Sequence, residues 1–234
     1  MATRRQYEDS CGMAQGLNIV GERWALLVVR ELLLGPKRFS RLRDDLPGIS
    51  PNVLSQRLTE LESAGVLQRR RLAPPADAWV YELTEWGAAL EPMIIELGRW
   101  AASSPFFDRK HGLSVTSAVL SQRTMFQPEA AAGERLSIVL KLGDQRFWAK
   151  VDDGQFSIEP GDATEPDATV NTDPVVLASV LYGGRDLTEA IEAQELEIEG
   201  DTRALERYLA MFWLPPAVSM TTTEEIRDMK TTHR

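Results

Sequence analysis

The chain has 234 residues, of which 43% are apolar and 26% charged, with a formal net charge of −9. That composition belongs to a globular protein and excludes a disordered or fibrous one. No apolar stretch approaches the roughly 20 residues a membrane span needs, and the length suits two ordinary domains.

The single cysteine, Cys11, rules out an internal disulfide and fits a reducing cytoplasm. The first residues, Met1 to Asp9, lack the apolar core of a secretory signal. Two histidines, His111 and His233, lie far apart and beside no acidic metal motif. Zinc binding and histidine-activated nucleophiles are therefore not expected, and no metal or cofactor is assigned.

Charge divides the chain. Residues 1–110 hold 15 basic and 14 acidic side chains, net +1, and the remainder 11 and 21, net −10. Between Lys37 and Arg71 eight basic residues face only four acids. A local positive face on an acidic protein can still hold phosphates, because at physiological salt only charges within roughly 8 Å matter.

Taken in order, residues 22–34 have helical periodicity, with Trp24, Leu27, Val28 and Leu32 on one face and Gly35-Pro36 ending the run. Ser40 is the expected N-cap of a short helix through Leu46, stopped by Pro47-Gly48. Ser50-Pro51 opens a third helix, Ser as cap and Pro in the first turn. Its Leu54, Leu58 and Leu61 face inward, which turns Asn52, Ser55, Gln56 and Thr59 outward with Arg57 beside them. Such a face suits a major groove, since short polar side chains allow close approach and their amides and hydroxyls can meet base edges. Two strands follow, 66–72 and 79–84, joined by the turn 73–78. Three helices and a basic two-stranded ribbon make the order of a winged helix-turn-helix. Base contacts are expected from Asn52, Ser55, Gln56, Arg57 and Thr59. Phosphate and wing contacts are expected from Arg38, Ser40, Arg41, Ser50, Arg69, Arg70 and Arg71.

The stretch from Gly21 to Trp100 resembles the HxlR family of bacterial winged-helix transcription regulators. The pieces that carry the resemblance are Gly21-Glu22-Arg23-Trp24, Arg38-Phe39 before Leu42, Pro47-Gly48-Ile49-Ser50, Leu54-Ser55-Gln56-Arg57-Leu58, Gly65-Val66-Leu67, Pro74-Pro75 and Tyr81-Glu82-Leu83-Thr84, with Cys11 ahead of them. The resemblance implies cytoplasmic binding of double-stranded operator DNA by a homodimer. After Pro74-Pro75 the family usually has a basic residue and reaches the Tyr quickly, whereas here Ala76-Asp77-Ala78-Trp79-Val80 intervenes, two residues longer and acidic, which leaves more of the contact to Arg69–Arg71. Residues 85–103 read as one helix with the stripe Trp86, Leu90, Met93, Ile94, Leu97, Trp100 and Ala101. The resemblance implies that this helix, with the N-terminal helix around Cys11, forms the homodimer, and its two large Trp side chains favour a partner. Some members of the family use a cysteine at the place of Cys11 as an oxidant or electrophile sensor, so Cys11 is a candidate redox thiol. Its neighbours Glu8 and Asp9 disfavour a thiolate, and the expectation here is a buried, inert side chain.

Beyond a transition at 103–130, alternation marks strands at 135–142 and 145–151, a third around Phe156 and Ile158, and a fourth at 168–170. Asp173-Pro174 opens a helix ending at Gly183-Gly184. A short helix at 187–193, a strand at 196–198 and a last helix after Asp201-Thr202 complete the order. This part resembles the sterol carrier protein 2-like (SCP2-like) fold in Val151-Asp152-Asp153-Gly154, Pro166-Asp167-Ala168-Thr169-Val170, Leu181-Tyr182-Gly183-Gly184 and Leu196–Asp201, with Gln194-Glu195 where that family usually has Gly. The resemblance implies a tunnel for an apolar small-molecule effector, and Phe147, Phe156, Leu177, Leu181, Tyr208 and Phe212 are its expected lining.

The fold class expected is α+β, a winged helix-turn-helix followed by an SCP2-like α/β domain with a mostly antiparallel sheet. The expected divisions are 1–104 for DNA binding and dimerisation, 105–133 as a helical linker, 134–216 for the ligand, and 217–234 as a flexible tail. A lipid or apolar-ligand carrier whose first domain only dimerises is the alternative, and the basic cluster speaks against it. No G-x-S-x-G, phosphate-cradling glycine loop or metal spacing is present, so no enzyme activity is expected.

Overall fold

The computed structural model describes residues 6–108 and 111–219; most of the expected tail, from 220 on, lies outside the described residues. The N-terminal half holds α1 (Gly12–Val20), α2 (Ala25–Leu32), α3 (Phe39–Asp45), α4 (Pro51–Ser63), β1 (Leu67–Arg71), β2 (Trp79–Leu83), α5 (Glu85–Ala88) and α6 (Glu91–Ala102). Then come α7 (Val115–Met125), a 3-10 turn at Pro128–Ala131, β3 (Arg135–Leu142), β4 (Gln145–Asp152), β5 (Gln155–Pro160), β6 (Ala168–Thr172), α8 (Pro174–Tyr182), α9 (Leu187–Glu192), β7 (Leu196–Gly200) and α10 (Thr202–Leu209). It is a mixed α+β protein, as the sequence implies. Among the described residues no helix is long and apolar enough to cross a membrane.

Three local expectations need correction. Helix α2 starts at Ala25 because Trp24 sits at φ 78, a left-handed conformation that cannot continue a helix. Its buried face is therefore Ala25, Val28, Val29 and Leu32, while Leu27 is exposed. The cap of α3 is Arg38 rather than Ser40, which lies inside the first turn. The expected helix over 85–103 is two helices, since Pro92 lacks an N–H and crowds the carbonyl four residues back, leaving Leu90 to cap α6 anew.

The first core is built on Val28, Val29, Leu42, Leu54, Leu58 and Leu61, all at most 1% exposed. Ser50 caps α4, its Oγ accepting from the Val53 N–H at 3.3 Å. Strands β1 and β2 pair antiparallel with Arg69 opposite Tyr81 and Arg71 opposite Trp79, and the Lys37 backbone joins them through a bridge to Tyr81. The ribbon is pinned to α5 at Gly87, where a Cβ would lie 1.9 Å from the Val66 carbonyl oxygen.

The second core lies on one face of a five-stranded sheet ordered β5-β4-β3-β6-β7, antiparallel except for the β3/β6 pair. Leu136, Ile138 and Leu140 of β3 stand beside Val151, Ala149 and Phe147 of β4 on the buried face. Leu177, Leu181, Leu205, Tyr208 and Phe212 cover them. Gln194, where the SCP2-like pattern has Gly, takes φ 58, the conformation glycine adopts most cheaply.

The segment read as a linker contains α7, which packs against α2, α6, α8 and β5. Nine of its eleven residues are buried. Ser114 caps it, accepting from the Ser117 N–H at 3.0 Å.

Candidate nucleic-acid interface

On α4, Asn52, Ser55, Gln56 and Thr59 are all exposed. Their spacing of three, one and three residues places them on one face, as the opposite stripe of Leu54, Leu58 and Leu61 demands. Gln56 Nε2 donates to Glu60 Oε1 at 2.9 Å, and Thr59 Oγ1 donates to the Ser55 carbonyl at 3.0 Å. Any base contact by Gln56 must compete with Glu60.

Arg57 is not on this face. It lies three residues after Leu54 and four before Leu61, so the helix turns it inward, and it is 7% exposed. Its guanidinium pairs with Glu60 at 2.9 Å and Glu22 at 3.5 Å. It holds α4 against the segment before α2, and the expectation that it reads bases is withdrawn. The helical spacing already contained this answer.

The ribbon's arginines are exposed and occupied. Arg70 donates to both carboxylate oxygens of Glu82, at 2.8 and 2.7 Å. That hydrogen bonding holds the Glu82 carboxyl below the usual carboxylate range. Arg71 forms the same kind of fork on Asp77, at 2.7 and 3.0 Å. Arg69 lies over the Trp79 ring at 4.5 Å. The longer, acidic turn thus neutralises one of the three guanidinium groups and Glu82 another. Around α3, Arg38 reaches the Ala76 carbonyl at 3.4 Å, Arg41 pairs with Asp45 at 3.2 Å, and Ser40 and Ser50 are exposed.

Beneath these elements is a buried ionic cluster that the sequence reading missed. Lys37 Nζ lies 2.7 Å from Glu31, 2.7 Å from Asp45 and 2.8 Å from Thr116 Oγ1. Ser114 Oγ donates to Glu31 at 2.7 Å. Glu31 is fully buried, and burial alone would raise its pKa. The charges of Arg30 and Lys37 and the hydrogen bonds from Lys37 and Ser114 outweigh that and hold it below the usual range. One lysine therefore ties α2, α3 and, through its backbone, β2 to the first turn of α7. The available signal was Glu31 falling three residues after Val28 and one before Leu32, on the inward side of the helix.

Two further expectations are corrected. Cys11 is exposed, not buried, at the N-cap of α1, and its backbone N–H donates to Asp9 at 2.8 Å. The six expected tunnel residues belong to the packed second core. Phe126, Phe156, Tyr208 and Phe212 close on one another with ring centroids 4.9 to 6.3 Å apart, which fills the space a tunnel would need.

Residues 19–106 match the HxlR-like helix-turn-helix family. Residues 113–217 match the alkyl sulfatase C-terminal family, a different description from the SCP2-like one expected. The chain is 40% identical over 87 residues to the uncharacterized HTH-type transcriptional regulator YvaP of Bacillus subtilis, which covers 37% of this chain and 81% of that protein. It is 36% identical over 89 residues to the HTH-type transcriptional regulator YodB of the same organism, covering 38% and 80%. The solved reduced form of YodB from B. subtilis is 32% identical, with a TM-score of 0.38, over 42% of this chain and 97% of that one.

Proposed function

This chain belongs to the HxlR-like helix-turn-helix family of transcriptional regulators, and on that premise we propose that it grips operator DNA as a homodimer and senses an apolar small molecule through its C-terminal half. The observation that carries the DNA reading is the exposed row Asn52, Ser55, Gln56 and Thr59 on α4. It sits on a helix capped for entry into a groove, followed directly by a basic ribbon. Base readout falls to that row and phosphate contact to Arg38, Arg41 and Arg69, with Arg70 and Arg71 available when they leave Glu82 and Asp77.

The dimer is supported by exposed apolar side chains on the two helices expected to form it. On α1, Met13 is 73% exposed, and on α6, Trp100 is 74% exposed, with Leu17, Met93 and Leu97 also open. Single apolar residues at a surface are ordinary, but this many large ones on two helices ask for a partner. A two-fold pair would place its α4 helices in major grooves about one helical turn apart.

We read residues 1–104 as the DNA-binding and dimerising unit and 134–216 as an SCP2-like module that binds rather than catalyses. Its strand and helix order supports that reading.

Gln56→Ala tests the assignment. Operator binding, followed by fluorescence anisotropy at physiological salt, is expected to weaken by about 1–3 kcal/mol with relaxed preference at one base pair. An equal loss on random DNA would remove Gln56 from base readout, and absence of any sequence preference in the unaltered chain would favour the carrier reading.

A further inference from the structure

The three consecutive arginines of β1 are not equivalent. Arg70 is forked onto Glu82 and Arg71 onto Asp77, so both of those charges are cancelled on the ribbon itself. Among the described residues Arg69 has no such ion pair, and its guanidinium lies over the Trp79 indole, 4.5 Å from the ring centroid. The register explains the stack. Arg71 stands opposite Trp79 and Arg69 opposite Tyr81, which makes Arg69 and Trp79 diagonal neighbours on one face of the ribbon. Both side chains are exposed, Trp79 by 50%.

Two hydrogen bonds fix where this pair sits. The Arg69 N–H donates to Glu62, near the end of α4, at 3.2 Å. Arg38, at the start of α3, donates to the Ala76 carbonyl in the turn of the ribbon. The stack is thus held to the helix that carries the polar row instead of swinging as a free arm.

The chemistry of the stack narrows what it can meet. A guanidinium only donates hydrogen bonds. Lying flat on an indole engages its face and leaves its N–H edge open, with part of its rotational freedom already removed. In the minor groove an A·T pair shows acceptors alone, whereas a G·C pair adds the guanine amino donor, which opposes an arginine edge. Runs of A·T also narrow that groove and deepen its negative potential, which favours an inserted arginine.

We propose that Arg69, held on Trp79, enters the minor groove beside the site read by α4 and selects A·T over G·C pairs there, with Trp79 as its positioning residue. This deepens the transcription-regulator reading and rests on it. Arg69 moves from phosphate contact to base selection, and the flank of the operator acquires a composition. Arg70 and Arg71 stay outside the selection because carboxylates already occupy their donor edges.

The test gives the full chain a randomised duplex pool of about 30 base pairs, enough for two half-sites one helical turn apart. Bound duplexes are sequenced, and the most enriched one is titrated by fluorescence anisotropy at physiological salt. An A·T run is expected beside the core positions. Changing that run to G·C should weaken binding about fivefold, the lower end of what one unfavourable pair costs. Inosine·cytosine in the run, which has the major-groove edge of G·C without the guanine amino group, should restore most of the affinity. Diaminopurine·thymine, which adds that amino group to A·T, should weaken binding as G·C does. In Trp79→Ala the A·T to G·C ratio should fall to about twofold or less, since an exposed cation–π contact is worth a factor of about two to five. Trp79→Phe keeps an aromatic face and should retain most of the ratio. Arg69→Lys should lose it while keeping the charge, so that loss reports geometry and not a missing cation.

Equal affinity for A·T and G·C flanks, an inosine·cytosine flank as weak as G·C, or an undiminished ratio in Trp79→Ala would each overturn the inference. The modified bases need no change in the protein, so they decide the groove even if Trp79→Ala loosens the ribbon. If the flank effect is absent while a preference at core positions remains and is lost in Gln56→Ala, the inference fails and the regulator reading stands. A chain that enriches no sequence overturns both.

Discussion

Replacing Lys37 with methionine removes the centre of the buried cluster while keeping the length of the apolar stem. The ammonium is 2.7 Å from both Glu31 and Asp45, and the three side chains are 9%, 0% and 10% exposed. Breaking a buried pair by removing one partner costs about 3–5 kcal/mol, mostly because the other charge is left behind. Here the lower end applies. Glu31 keeps Arg30 at 2.7 Å and Ser114, and Asp45 keeps Arg41 at 3.2 Å. The expected loss is about 3 kcal/mol in urea denaturation, or a fall of roughly 6–12 °C in Tm for a chain of this size. Adding Glu31→Gln to Lys37→Met should return about 1–2 kcal/mol, because the fully buried carboxylate that lost one of its two cations is gone. A loss below about 1 kcal/mol for Lys37→Met, or simple additivity in the double variant, would refute the cluster as the tie between the two halves. Acid titration gives a second readout. The folded Glu31 holds its proton less tightly than the unfolded chain does, so its stabilisation is complete above the unfolded carboxylate value of about 4.3 and is lost as pH falls through the lower folded value. Glu31→Gln should therefore flatten the loss of stability below about pH 4.

Other outcomes follow from the interface. Arg57→Met should cost about 1–2 kcal/mol in urea melts, since Glu60 stays partly solvated, and should leave base preference unchanged; a relaxed preference at one base pair would return Arg57 to the reading face. Asp77→Asn releases Arg71, so affinity for any duplex should rise and the slope of log affinity against log salt should steepen by about one, as anisotropy titrations at several salt concentrations would show. Trp100→Asp, at the most exposed large apolar side chain of α6, should give a monomer by light scattering with an unchanged circular dichroism spectrum; an unchanged mass would move the dimer contact elsewhere.

Local pattern carried the winged helix-turn-helix a long way. Ser50-Pro51 capping, the 54-58-61 stripe and the hairpin at 67–83 are short-range features, and each reappears in the structure. The same holds for Asp173 and Asp201, whose side chains cap α8 and α10 as their positions suggest. Arg57 shows the limit of reading by residue type. Its charge argued for the surface while its place in the helical stripe argued for the interior, and the stripe prevailed because Glu60 and Glu22 could pair with it.

What the amino-acid order determined by itself is much of what neighbours within a few residues set: most of the elements, the caps at Ser50, Asp173 and Asp201, the 54-58-61 stripe and the row of polar groups on α4. What only the tertiary structure decided depends on groups far apart in the chain. Lys37 meets Thr116 across 79 positions, and Arg70 meets Glu82 across 12. Phe126 and Phe212 fill the expected tunnel from opposite ends of the second half. Ion pairing and close packing act between atoms a few ångströms apart in space, and periodicity along the chain says nothing about which distant partners will arrive there.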